Sequence, residues 1–260
     1  MGFRESTQSS PYHGAAVVPE TSRTFRALRF RRKKPLWTLG PLRCQLEAAV
    51  GLEADLALEQ RPQHSENVQL ALTKAQELVI WINLKLDGIE MIGDHRHRIP
   101  GQLFDLAIEH HSGIVQLLTS HVYASAFALV RCEFECFARG AWLHYCATDA
   151  ELGAFVEKDH IPLKFGPMIE AIEQIPEFAN KFLSKVKDDA WNAMNGYTHG
   201  GIHQVSRRLQ GEHIEPNFED AALLEVVQFS GTMALIALGQ IAALAGRKDL
   251  WEEIDARLHD

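Results

Sequence analysis

The chain has 260 residues, 46% of them apolar, which suffices for a sizeable core and excludes global disorder. Its formal net charge of −8 is unevenly spread. The first 35 residues hold eight basic side chains against Glu5 and Glu20, leaving 18 basic and 32 acidic residues for the rest. An acidic body excludes broad, unspecific binding along a nucleic-acid backbone, but leaves room for a local basic pocket.

Residues 1 to about 40 lack sustained periodicity, are rich in Ser, Thr and Arg, and contain Pro11, Pro19 and Pro35. Their "RFRRKKP" run suits a nucleic-acid arm, a membrane-surface arm or a targeting segment. The plainer reading, preferred here, is a disordered basic tail. The remainder, 41–260, reads as a single α-helical domain.

From Pro41 the pattern predicts a helix to Gln60, broken at Pro62. Ser65 then caps a long amphipathic helix with Val68, Leu72, Leu78, Ile82 and Leu86 among its apolar positions. "GDHRHRIPG", 93–101, reads as a polar connection. Leu103–Thr119 and His121–Ala147 follow as two buried helices. Thr148 with Glu151 three residues later is a capping-box pattern that opens another. Pro162, Gly166 and Pro167 separate it from Met168–Gln174, and Pro176 starts the helix that carries Trp191. Ile202–Leu209 reads as a short helix. Asn217 is expected to cap an apolar helix over 219–245, with Asp220 near its positive end. A last helix covers about 247–258. No strand pair, internal repeat or phosphate-cradling glycine loop is apparent, so the expected architecture is an all-α helical bundle.

Two uncharged runs, Val226–Gly246 and Ser112–Val130, are long enough to span a membrane. Gln228, Ser230, Thr232 and Gln240 interrupt the first, and Gln116, Ser120, His121 and Ser125 the second. Both are rich in Ala or Gly, and both are read as core helices of a bundle, with no membrane partner. Of the four cysteines, Cys132, Cys136 and Cys146 lie on apolar helical stretches and read as small buried hydrophobes. Together with Cys44 they imply a reduced, cytoplasmic setting. The run from Cys132 to Cys146, with His144, lacks the paired spacing of structural zinc sites, so no metal and no cofactor is expected.

Two stretches carry the candidate chemistry. In "AWNAMNGYTHGG", 190–201, a helix is expected to end near Asn195-Gly196 and turn at Gly200-Gly201, presenting Asn195, Tyr197 and His199 together. His203 and Arg207 follow at four-residue steps, sharing a face if the short helix is regular. In "ALVRCEFECFARGAWLHY", 128–145, Arg131, Glu135 and Arg139 are also at four-residue steps on an apolar helix. Burying them demands pairing. They form either an ion-pair ladder that locks the bundle or a pocket in which Arg131 or Arg139 meets an anion and Glu135 orients it.

Residues 110–149, 191–208 and "IEPNFED" (214–220) resemble a bacterial family of helical proteins without assigned function, over roughly residues 65–250. In helix order and in the late polar-His motif they resemble the HEPN-like group (higher eukaryote and prokaryote nucleotide-binding domains). Many of its members are metal-independent RNases, or relatives, serving toxin–antitoxin and phage-defence systems. Their motif places an Arg, often followed by a polar residue, a few positions before a His, and dimerisation brings two copies together. Carried over, the resemblance implies catalytic roles for His199 and Asn195. It further implies a homodimer that binds RNA or a nucleotide in bacterial stress or defence. Arg131, Glu135, Arg139, Tyr197, His203 and Arg207 are the expected ligand contacts. The motif Arg has no counterpart at Asn192–Met194. The alternative is a non-catalytic structural or partner-binding helical module.

Overall fold

A computed structural model describes residues 64–91 and 93–259. The expected tail over 1–40 and the expected helix Pro41–Gln60 lie outside the described residues. These residues all belong to the unit Pro62–Asp260. Among them are nine α-helices: α1 Glu66–Leu86, α2 His95–Thr119, α3 Tyr123–Tyr145, α4 Asp149–Lys158, α5 Phe165–Ile172, α6 Phe182–Thr198, α7 Ile202–Val205, α8 Asp220–Leu244 and α9 Asp249–His259. No strand occurs among the described residues, where Gln210 and His213 form an isolated bridge. The protein is all-α.

The Ser65 hydroxyl caps α1 by accepting the Val68 N–H. Val68, Leu72, Ala75 and Ile82 recur at helical spacing and are buried on its inner face, with Leu78 and Leu86 half-buried beside them. The polar connection expected over 93–101 is instead mostly helix, since α2 begins at His95 behind an Asp94 cap. Pro100 has no N–H to offer the Arg96 carbonyl one turn earlier. The His144 ring, 48 residues away, approaches that carbonyl at 3.4 Å and meets the deficit. The Arg96 guanidinium meanwhile donates to the Ala147 carbonyl at 2.8 Å and pairs with Asp149 at 2.6 Å. A proline that reads as a helix breaker is thereby accommodated by the end of α3.

α2 and α3 pair along their length behind a corner at His121, whose φ is 60°. Phe104 meets Phe137 across the seam with ring centres 5.6 Å apart, and Ile114 and Phe134 are fully buried. Gly140 is required there: a Cβ on it would lie 2.9 Å from the Phe104 ring. α8 packs across α1, α2 and α3 with Met233, Ala234, Ala237 and Leu238 fully buried. By length and composition α8 could cross a membrane; in this bundle 56% of its most apolar window is buried.

The Thr148–Glu151 capping box forms as expected at the start of α4. Gly166 and Pro167 lie inside the first turn of α5 instead of preceding it, because a proline there needs no N–H partner. Pro176 opens only a 3₁₀ turn, and the Trp191 helix, α6, begins at Phe182. The buried Glu173 carboxylate sets that start by accepting the Ser184 N–H at 2.8 Å and its hydroxyl. Ile202–Leu209 divides into α7 and a 3₁₀ turn, Ser206–Arg208. Asn217 does not cap α8. Its N–H donates to the Arg207 carbonyl, Glu219 takes the cap position, and Asp220 sits in the first turn as expected.

Candidate functional site

α6 does not break at Asn195-Gly196, as the sequence suggested, but runs on to Thr198 with His199 as its C-cap. Gly200 then takes φ +66°, and the Gly201 N–H reaches back to the Gly196 carbonyl at 2.7 Å. A Cβ on Gly201 would lie 2.9 Å from the Gly196 Cα, so the two glycines allow the backbone to fold onto itself. Thr198 and Gln204 tie this turn to α3 by donating to the Ala128 and Ala124 carbonyls at 3.4 and 3.2 Å.

That tie sets His199 against the charged stripe of α3. Arg131 donates one guanidinium N–H to His199 Nε2 at 2.7 Å and its Nε–H to Glu135 at 2.7 Å. A guanidinium only donates, so Nε2 accepts and the imidazole proton sits on Nδ1. Arg139 approaches the other oxygen of Glu135 at 3.1 Å. The Arg131 side chain is 20% exposed, Glu135 18% and Arg139 43%, so water and a ligand reach the row without dismantling it. Arg131 also lies over the Trp191 ring at 5.0 Å, and Trp191 stacks on Phe165 at 4.4 Å. A cavity of about 420 Å³ opens onto Arg131, Glu135, Arg139 and Trp191, with Phe155 and His160 on its wall.

The remaining candidates sit elsewhere. Tyr197, His203 and Arg207 line a second cavity, of about 480 Å³, with Phe127, Met194 and Phe229. Asn195 lines neither cavity and makes no side-chain hydrogen bond among the described residues. The common face expected for His199, His203 and Arg207 does not form: the glycine turn separates the first two, and Arg207 has non-helical backbone angles. Trp191 served in the sequence only as a landmark. Its signal as a site residue is its place eight before His199, two turns back on the face that meets Arg131.

A polar trio escaped the sequence reading. His111, Glu133 and Ser230, from α2, α3 and α8, have no exposure. His111 Nδ1 lies 2.8 Å from the Ser230 hydroxyl, while His111 Nε2 and both Glu133 oxygens lack partners. Burial pushes the Glu133 carboxyl well above its ordinary range, with the neighbouring Ser230 hydroxyl only a partial offset. It pulls His111 down to about 4. The available signal was angular: Glu133 is two residues from both Arg131 and Glu135, hence on the opposite side of α3. Burial also raises the Cys132 thiol, and Cys136 to about 11, which keeps both protonated near neutrality. Among the described residues no group of three or more His, Cys, Asp or Glu is arranged to hold a metal ion.

Residues 104–260 match DUF6988, a family of unknown function. The chain belongs to this family. The DUF6988 region contains both cavities, the buried trio and every candidate residue from Arg131 to Arg207. No curated protein and no solved structure matches the chain.

Proposed function

We propose that this DUF6988 member is a HEPN-like protein of the bacterial cytoplasm that binds RNA or a nucleotide, with Arg131 and His199 at the centre of the site. The observation that carries the reading is the 2.7 Å contact between Arg131 and His199 Nε2. The linear Arg-to-His motif is missing from α6, yet an arginine from α3 stands beside the histidine. Glu135 holds Arg131 in place, and Arg139 extends the positive edge.

The chemistry follows from donor and acceptor roles. An arriving phosphodiester draws the Arg131 N–H groups onto its non-bridging oxygens and frees His199 Nε2. That nitrogen then accepts the proton of a ribose 2′-hydroxyl, whose oxygen attacks phosphorus as the 5′-oxygen leaves and takes a proton from water. A homodimer, as the resemblance implies, doubles the site, and a role in stress or phage defence suits such an activity. Asn195 has no part in this reading, because its side chain makes no hydrogen bond to Arg131 or His199.

The test is cleavage and binding of a labelled single-stranded RNA by the purified full chain, with and without chelator. Wild type is expected to bind in a salt-sensitive manner and to cleave without added metal. His199→Ala should reduce cleavage by about 10²–10⁴-fold, the span of general acid–base catalysis, with the fold intact. The second reading, a non-catalytic module, is favoured by Arg131 having Glu135 and His199 as internal partners. It stands if wild type neither binds nor cleaves and His199→Ala changes stability alone.

A further inference from the structure

The cavity beside Tyr197 is separate from the Arg131 site and is built differently. Its floor is Phe127 and Val130 of α3, and its walls are α6 and the first turns of α8. Along α6 the lining recurs at Phe182, Val186, Ala190, Ala193, Met194 and Tyr197, one continuous stripe. Ala190 and Ala193 hollow that stripe, and Phe229 closes it from α8. The result is an apolar space of about 480 Å³, in the range of small-molecule pockets.

Its polar groups are unevenly placed. At the Tyr197 end stand His203, its ring 6.3 Å from the tyrosine ring, and Arg207, held over Phe218 at 5.4 Å. The Tyr197 hydroxyl and the His203 ring have no hydrogen-bond partner among the described residues, and Arg207 has no ion pair there. Asp189 lies eight residues before Tyr197, about 12 Å back along α6 at 1.5 Å per residue. Glu225 stands on the α8 wall. The Tyr197 end therefore gathers donors for an anion, the α6 stripe is largely apolar, and Lys185, Asp189 and Glu225 complete the lining. A polyanion would meet Asp189 and Glu225; a cation would meet Arg207 and Lys185.

From this arrangement we infer that the cavity binds a small amphipathic monocarboxylate. The carboxylate pairs with Arg207 and accepts from Tyr197 and His203, and an aromatic or aliphatic body lies along Met194, Ala193 and Phe229. Arg207 supplies the charge selectivity, and the two alanines supply the room.

Calorimetric titration of the full chain with three probes of one shape tests this: 4-phenylbutyrate, 4-phenylbutanol and 4-phenylbutylamine. The carboxylate should bind at least about tenfold more tightly than the other two. Arg207→Gln should bring it to the level of the alcohol, and Ala193→Phe should weaken all three probes. Arg207 is not part of the core, so its variant should keep the wild-type melting temperature and tests charge selectivity even if Ala193→Phe misfolds. Arg131→Gln should leave phenylbutyrate affinity unchanged. The inference is overturned if the amine binds as tightly as the carboxylate, if Arg207→Gln binds phenylbutyrate like wild type, or if no probe binds at about 10 mM.

Discussion

Replacing Glu133 by glutamine should change how stability responds to pH, and the buried trio fixes the sign of the change. The folded protein holds the Glu133 carboxyl proton that the unfolded chain releases above about 4.5. Stability from this group is present below that pH and is lost as pH rises, by up to about 1.4 kcal/mol per pH step until the folded-state value is reached. His111 works in the opposite sense. Its imidazole falls from 6.5 to about 4 on burial, so its contribution is present above 6.5 and lost on acidification, about 3 kcal/mol in all. Above about 4.5 the two slopes oppose each other, the glutamate slope falling with pH and the histidine slope rising until it levels near 6.5. In Glu133→Gln the alkaline decline should vanish and the acid loss should emerge undiluted.

Urea denaturation of both proteins at intervals from pH 4.5 to 8.5 measures this. Subtracting the two profiles removes groups common to both, apart from any coupling through Ser230. Relative to wild type, Glu133→Gln should gain stability as pH rises above 4.5, by up to about 1.4 kcal/mol for each pH step until the folded-state carboxyl ionises. Parallel profiles across the whole range from pH 4.5 to 8.5 would refute the assignment of a neutral, buried Glu133.

Glu135→Ala removes the carboxylate between Arg131 and Arg139. Because the row is partly exposed, the loss should be about 1–3 kcal/mol, below that of a fully buried pair, and an unchanged melting temperature would make the row decorative. Glu173→Ala leaves the Ser184 N–H at the start of α6 without its acceptor, and should lower stability by about 1–2 kcal/mol. Hydrogen exchange should then rise first in the opening turn of α6. Gly201→Ala cannot keep a Cβ 2.9 Å from the Gly196 Cα, so the glycine turn must open and carry His199 away from Arg131. In a structure of that variant, the Arg131–His199 contact should be absent and the α2–α3 seam unchanged.

Local features were legible in the chain because their partners are neighbours. Ser65 caps Val68, Thr148 and Glu151 close a box three residues apart, and Arg131, Glu135 and Arg139 meet at four-residue steps on one helix. The apolar periodicity of α1, α2, α3 and α8 likewise marks a helical bundle. What depended on residues far apart was not legible. Pro100 sits inside α2 because the His144 ring attends to the carbonyl it orphans, and Glu173 sets the start of α6 from the element before it. The cluster written as one polar run, Asn195 to Arg207, is dispersed by the two-glycine turn: His199 to Arg131, 68 residues away, Tyr197 and His203 to another cavity, and Asn195 to neither. Spacing along a chain fixes which side chains share a helix face. Which helix that face meets depends on how close glycines such as Gly140, Gly196 and Gly201 let the backbones come, and that closeness exists only in the packed bundle.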